Sequence, residues 1–111
     1  MENNKNAAIY IRVSSSDQEN SVLAQTDKLK AYCTYNHIGI VDILEDQDVS
    51  GGKEIYKRPS GSLIESLISK KEINCIVATK IDRLFRSTTN ALIMVEEWNK
   101  WYAAQFVEPV F

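Results

Sequence analysis

Histidine occurs once in the 111 residues, at His37, and cysteine and proline occur twice each, glycine four times. A single histidine with no Cys-x-x-Cys pair and no carboxylate pair at ligand spacing argues against a zinc site and against a Ser-His-Asp triad. Two cysteines far apart in sequence do not make a disulfide framework. Cys33 falls in a helix-like stretch and Cys75 in the apolar run "INCIVAT", so both are expected as reduced, buried thiols. The low glycine and proline content, with no repeat and no low-complexity tract, excludes collagen-like, solenoid and disordered classes. No apolar run approaches the roughly 20 residues that span a bilayer. The start "MENNKNAAIY" lacks the basic and apolar regions of a secretory signal, so a soluble cytoplasmic protein is expected. Basic excess is missing too: 13 Lys and Arg against 15 Asp and Glu give a net charge of −2. A free-standing nucleic-acid-binding domain usually advertises a basic face, and this composition does not.

What remains is an ordinary globular composition, 44% hydrophobic and 25% charged, of a length that suits one domain. Apolar runs alternate with helical patterns along the chain. "AAIYIRV" (7–13) reads as a strand. From Ser21, a suitable N-cap, Val22, Thr26, Leu29 and Cys33 recur at helical spacing to about His37. "IGIVDIL" (38–44) reads as a second strand, followed by the polar loop "EDQDVSGGKEIYKRP". "SGSLIESLISKK" places Leu63, Ile64, Leu67 and Ile68 on one helical face, and "INCIVAT" (73–79) reads as a central strand. Ser87 can cap a helix bearing Ala91, Leu92, Val95, Trp98 and Tyr102, and "AQFVEPVF" closes the chain as a strand ending near Pro109. This order predicts an α/β domain: an open, doubly wound, mainly parallel sheet of four to five strands with helices on both faces. Ligands of such sheets bind outside the carboxyl ends of the strands, in the loops "SSSDQENS", "DQDVSGGKEIYKR" and "KIDRLFR".

Those loops and the strand feeding the first of them are chemically unusual. Tyr10, Arg12 and Ser14 are two residues apart, so a strand points them to one face with Ser14 at its outgoing end. An arginine in an apolar strand needs a partner: either an internal carboxylate such as Asp82 or Asp46, or an anion. "KIDRLFR" packs Lys80, Asp82, Arg83 and Arg86 into seven residues. Arg83 and Arg86 on one side of a helical turn suit bidentate gripping of a phosphate, whereas a self-neutralising solvated loop is the plainer reading. "VSGGK" (49–53) lacks the spacing of a nucleotide-binding P-loop. With no histidine base at hand, a serine nucleophile here would rely on arginines. Fixed guanidiniums suit phosphoryl transfer because charge develops on the non-bridging oxygens of the transition state.

"YIRVSSSDQENSVLAQ", "DVSGGKEIYKRPSG" and "KIDRLFRS", in this order and spacing, resemble the N-terminal catalytic domain of the serine recombinases, the resolvase/invertase and large serine integrase group. The resemblance runs from Ala7 to Phe111 and marks residues 1–6 as a flexible N-terminus. It implies a resolvase-like catalytic fold and a site-specific DNA recombinase. Ser14 attacks the scissile phosphate, forms a 5′-phosphoserine link and releases a 3′-hydroxyl. Arg12, Arg83, Arg86 and Arg58 surround the phosphate; Asp82 orients arginines; Lys80 and Tyr10 support the site. Gln18, Gln25 and Ser50 match positions that contact DNA or phosphate, and either Asp46 or Asp48 matches the family's acidic position. The resemblance also implies a homodimer or homotetramer on paired DNA sites, neither metal nor cofactor, and a chain truncated at Phe111 before a dimerisation helix and a DNA-binding domain, which accounts for the missing basic charge. Two other readings use the same fold: a receiver-like signalling module, which needs clustered carboxylates after the first strand where this chain has serines, and a catalytically silent interaction domain.

Overall fold

The computed structural model describes residues 5–13, 22–47, 58–79, 88–102 and 105–107. Seven elements follow one another: β1 (Asn6–Val13), α1 (Val22–Tyr35), β2 (Gly39–Gln47), α2 (Leu63–Ser69), β3 (Cys75–Val77), α3 (Thr88–Tyr102) and β4 (Gln105–Val107). The four strands form one sheet in the order β2-β1-β3-β4, and every neighbouring pair is parallel. Each strand is joined to the next by a helix, as parallel pairing requires.

Strand alternation divides the core in two. Ala7, Ile9 and Ile11 pack with Leu29 and Cys33 of α1 and with Cys75 and Val77 of β3. Ala8 and Tyr10 point to the opposite face, with Leu44, Ile64 and Ile68 of α2, Ile76, and Trp98 of α3. β1 is therefore covered on both faces, which is why its sequence is apolar without a break. The α2 and α3 stripes each differ from expectation at one leucine. Leu63 and Leu92 are largely exposed, while Ile64, Ile68 and Trp98 are buried, with Leu67, Met94 and Val95 packed against them.

Three element boundaries move. β1 starts at Asn6, one residue before the expected Ala7; Asn6 pairs with Gly39, and the Lys5 carbonyl accepts from Gly39 N at 3.0 Å. β3 is shorter than 73–79: Ile73 N reaches back to the Leu67 carbonyl at 3.4 Å, and Ala78 N reaches Val107 O at 3.3 Å beyond the strand's end. β2 runs on to Gln47, taking Glu45 and Asp46 into the sheet where a loop was expected.

Two helices end in the same way. Ile38 N bonds the Cys33 carbonyl at 2.8 Å and His37 N bonds that of Thr34 at 3.3 Å. Glu72 N bonds Leu67 O at 2.9 Å and Lys71 N bonds Ile68 O at 3.0 Å. These are paired Schellman closures, which need a left-handed residue at the first position past the cap. His37 (φ 58°) and Lys71 (φ 62°) occupy it, although neither is glycine. Both side chains are exposed. His37→Gly is thus expected to stabilise the fold by about 0.5–1 kcal/mol, as relief of the left-handed strain outweighs the added freedom of the unfolded chain. A urea unfolding curve checks it.

Candidate active site

The strand order reverses between β1 and β3, because β1 leads outward to β2 on one side while β3 and β4 continue on the other. The crevice at the carboxyl ends of β1 and β3 is the place where a doubly wound sheet binds its ligand. Ser14 is joined directly to Val13, the last residue of β1. Of the expected site residues, Tyr10, Arg12, Gln25 and Arg58 fall among the described residues. Ser14, Gln18, Ser50, Lys80, Asp82, Arg83 and Arg86 lie outside them, as do Asp48 and the expected caps Ser21 and Ser87.

Tyr10 and Arg58 come together around Asp46, with Arg12 opposite it in register. Arg12 pairs in register with Asp46 across β1 and β2, and Tyr10 pairs with Leu44. This register depends on an irregularity near the other end of the strands. Ala7 pairs with Ile40 but Ala8 pairs with Asp42, so Val41 is an extra residue on β2. A one-residue shift exchanges the faces of everything that follows. Continued without the shift, the Ala7–Ile40 register would set Asp46 opposite Val13. With it, Asp46 shares the face of Tyr10 and Arg12.

Asp46, 2% exposed, accepts three hydrogen bonds. The Tyr10 hydroxyl donates to Oδ2 at 2.8 Å, Gly61 N donates to Oδ2 at 2.8 Å, and Ser60 N donates to Oδ1 at 2.8 Å. The Tyr10 oxygen in turn accepts from an Arg58 Nη at 3.1 Å, and the Arg58 Cζ lies 5.9 Å from the Tyr10 ring centroid, within cation–π range. Arg58 and Tyr10 are wholly buried and Arg12 is 8% exposed. Such groups are retained in a protein interior only when hydrogen-bonded and charge-compensated, and here a carboxylate, a phenol and a guanidinium serve one another. Burial pushes the Tyr10 phenol above its ordinary value of 10.0; Arg58 opposes the shift and Asp46 adds to it. Tyr10 is therefore a neutral donor and acceptor at physiological pH.

Gln25 approaches from the other side of the sheet. It is 1% exposed on α1, and its Nε2 donates to the Arg12 main-chain carbonyl at 3.4 Å. The structure places it beneath the end of β1, one residue before Val13. The resemblance singles out Tyr10, Arg12, Gln25 and Arg58 but leaves Asp46 undecided against Asp48. The available signal is the alternation Asp42, Leu44, Asp46, which continues the strand into the acidic run.

Cys33 and Cys75 are free and buried, as expected. Burial raises the Cys33 thiol and carries the Cys75 thiol from 9.0 to about 11. A raised folded-state value means that the unfolded chain loses these protons first. For Cys75 the contribution is present in full below pH 9 and is lost as pH rises from 9 towards 11, by up to about 1.4 kcal/mol per pH unit, and Cys33 acts in the same direction. Tyr10 adds to the loss above pH 10. Urea unfolding at pH 8, 9 and 10 should show the decline, and Cys75→Ala should flatten its first part.

The sequence profile described as "Resolvase, N terminal domain" matches residues 7–107. Among solved structures, the N-terminal catalytic domain of TP901-1 integrase superimposes with a TM-score of 0.82 at 29% identity, covering 94% of this chain and 76% of that one. The C-terminal catalytic domain of ISC1926 TnpA, an IS607-like serine recombinase, gives 0.80 at 26% identity, with 93% and 68% covered. A resolvase family site-specific recombinase from Streptococcus pneumoniae gives 0.72 at 26%, with 94% and 71% covered. No protein of curated function matches the chain. Among the described residues, no helix is long and apolar enough to cross a membrane.

Proposed function

The chain belongs to the resolvase N-terminal domain family, as a serine recombinase catalytic domain, and on that premise we propose that it cleaves and rejoins DNA at specific sites through Ser14. The Ser14 hydroxyl oxygen attacks the scissile phosphorus. The new Oγ–P bond replaces the bond to the 3′ oxygen, which leaves with a proton as a 3′-hydroxyl, while the serine proton passes to the surroundings. The DNA is held as a 5′-phosphoserine diester, which conserves the bond for religation by the reverse attack of another 3′-hydroxyl. Arg12, Arg83 and Arg86 meet the charge on the non-bridging oxygens, with Arg58 behind them. Asp82 orients arginines, Lys80 supports the site, and Gln18 and Ser50 contact the DNA backbone. Gln25 serves the same site from beneath, through the Arg12 carbonyl. The protein works as a dimer or tetramer on paired sites in the cytoplasm, without metal or cofactor.

The observation that carries this reading is the buried Tyr10–Asp46–Arg58 cluster beside Arg12, at the sheet end from which Ser14 departs. Two buried arginines with fixed neighbours are a preorganised environment for an anion, and reorganisation at the moment of reaction is small. A crystal structure soaked in sulfate tests it. Sulfate is expected within hydrogen-bond reach of Ser14 and of at least two of Arg12, Arg58, Arg83 and Arg86. An ordered Ser14 remote from any sulfate, with all four arginines tied in internal ion pairs, would count for the silent interaction domain instead.

A further inference from the structure

We propose that Asp46 is the positioning residue of this site: from the end of β2 its carboxylate fixes both the Tyr10 hydroxyl that holds Arg58 and the backbone at Ser60 and Gly61, so that the segment carrying Arg58 keeps one placement against β1. The inference rests on the recombinase reading above and gives Asp46, one of the two carboxylates that match the family's acidic position, a role in which it does not itself touch the phosphate. Asp46 reaches the Arg58 segment twice. One route runs through side chains, from Oδ2 to the Tyr10 hydroxyl and on to Arg58. The other runs through the main chain two and three residues further on, at Ser60 N and Gly61 N. The segment continues directly into α2: Ser62 N bonds the Arg58 carbonyl at 2.9 Å, and Ile64 N bonds that of Gly61 at 3.1 Å. Held at both points, residues 58–61 cannot pivot about α2 without breaking charge-assisted bonds in a buried site.

The chemistry requires a carboxylate rather than any polar residue. A carboxylate only accepts, and all three neighbours donate to it. An asparagine of the same shape has one accepting oxygen. If that oxygen takes the Oδ2 place, the amide NH2 faces Ser60 N, donor against donor. If it takes the Oδ1 place, Gly61 N loses its acceptor and Tyr10 must rotate, which disturbs the oxygen that Arg58 uses. Tyr10 is on this view a relay for Asp46 and not an acid or base in the reaction.

The test measures single-turnover formation of the covalent adduct at saturating recombination-site DNA, together with DNA affinity, for wild type, Asp46→Asn, Tyr10→Phe and the double variant. Rates are divided by the folded fraction from circular dichroism. Asp46→Asn should slow adduct formation about 10- to 100-fold per folded molecule, the range expected when a catalytic group is displaced by up to an ångström. DNA affinity should change less than threefold. Tyr10→Phe should slow the reaction less, because the grip on Ser60 and Gly61 survives, and the double variant should be no slower than Asp46→Asn alone. If wild type reacts and Asp46→Asn keeps its rate, or the two substitutions multiply, Asp46 does not act through Tyr10 and the inference falls. If wild type itself forms no adduct, the recombinase reading falls first.

Discussion

Replacing Ser14 with alanine is expected to abolish covalent capture of DNA while leaving the fold unchanged. The substitution removes a single oxygen and no backbone donor, so the shift in unfolding free energy should stay under about 1 kcal/mol. Its effect on the reaction is all or none, because the intermediate is a bond to that oxygen and no other group can hold the DNA end in the same way. The assay is the appearance of a protein–DNA band that survives detergent and heat on recombination-site DNA. Wild type should give the band and Ser14→Ala should not, at any protein concentration. A band of undiminished intensity would move the nucleophile to another residue, with Ser15 and Ser16 the nearest in sequence.

Asp46→Ala is expected to be among the most destabilising single changes in the domain. It strips the acceptor from two buried donors, the Tyr10 hydroxyl and the Gly61 amide, and from the half-buried amide of Ser60. A buried donor left without a partner costs about 1–3 kcal/mol, and the loss here should total roughly 3–6 kcal/mol. The removed carboxylate also faced the buried Arg58 across Tyr10, and the loss of that charge pairing adds to the penalty. Against a domain stability of about 5–15 kcal/mol, that is a large share. Asp46→Asn keeps the volume and one acceptor and should lose clearly less. Urea denaturation of the three proteins, followed by tryptophan fluorescence, separates them. A loss under about 1 kcal/mol in Asp46→Ala would show that the cluster contributes little to stability.

Much of this architecture can be read from periodicity because each element faces one kind of neighbour. β1 is covered on both sides and so reads as a continuous apolar run. α1 is half-covered and so repeats Leu29 and Cys33 at a helical interval. The sequence hides features where burial and polarity part company. Asp46 is a charged residue at a buried position, and a reading that equates polarity with exposure places it in a loop. The extra residue Val41 has no local mark, since bulges are made by pairing and not by composition. Yet it is what turns Asp46 toward Tyr10 and Arg12. Leu63 and Leu92 fit their apolar stripes yet are largely exposed. His37 and Lys71 likewise hold left-handed positions that glycine would advertise.

The chemistry is legible for a different reason. Tyr10 and Arg12 alternate on β1, and Ser14 follows them at the same spacing in the sequence. Arg58 lies 48 residues beyond Tyr10, and a hydrogen bond and a cation–π contact join the two in one cluster.

The most direct measurement is to trap the covalent complex on recombination-site DNA, digest the DNA and then the protein with trypsin, and locate the nucleotide remnant by fragment-ion mass spectrometry. Cleavage after Arg12 and Lys28 leaves the peptide "VSSSDQENSVLAQTDK", which carries Ser14, Ser15, Ser16 and Ser21 together, so the fragment ions assign the oxygen. The expected result is a single modified residue, Ser14, linked to the 5′ phosphate. A remnant on any other residue would contradict Ser14 as the nucleophile, and a 3′ phosphate linkage would contradict the direction of attack.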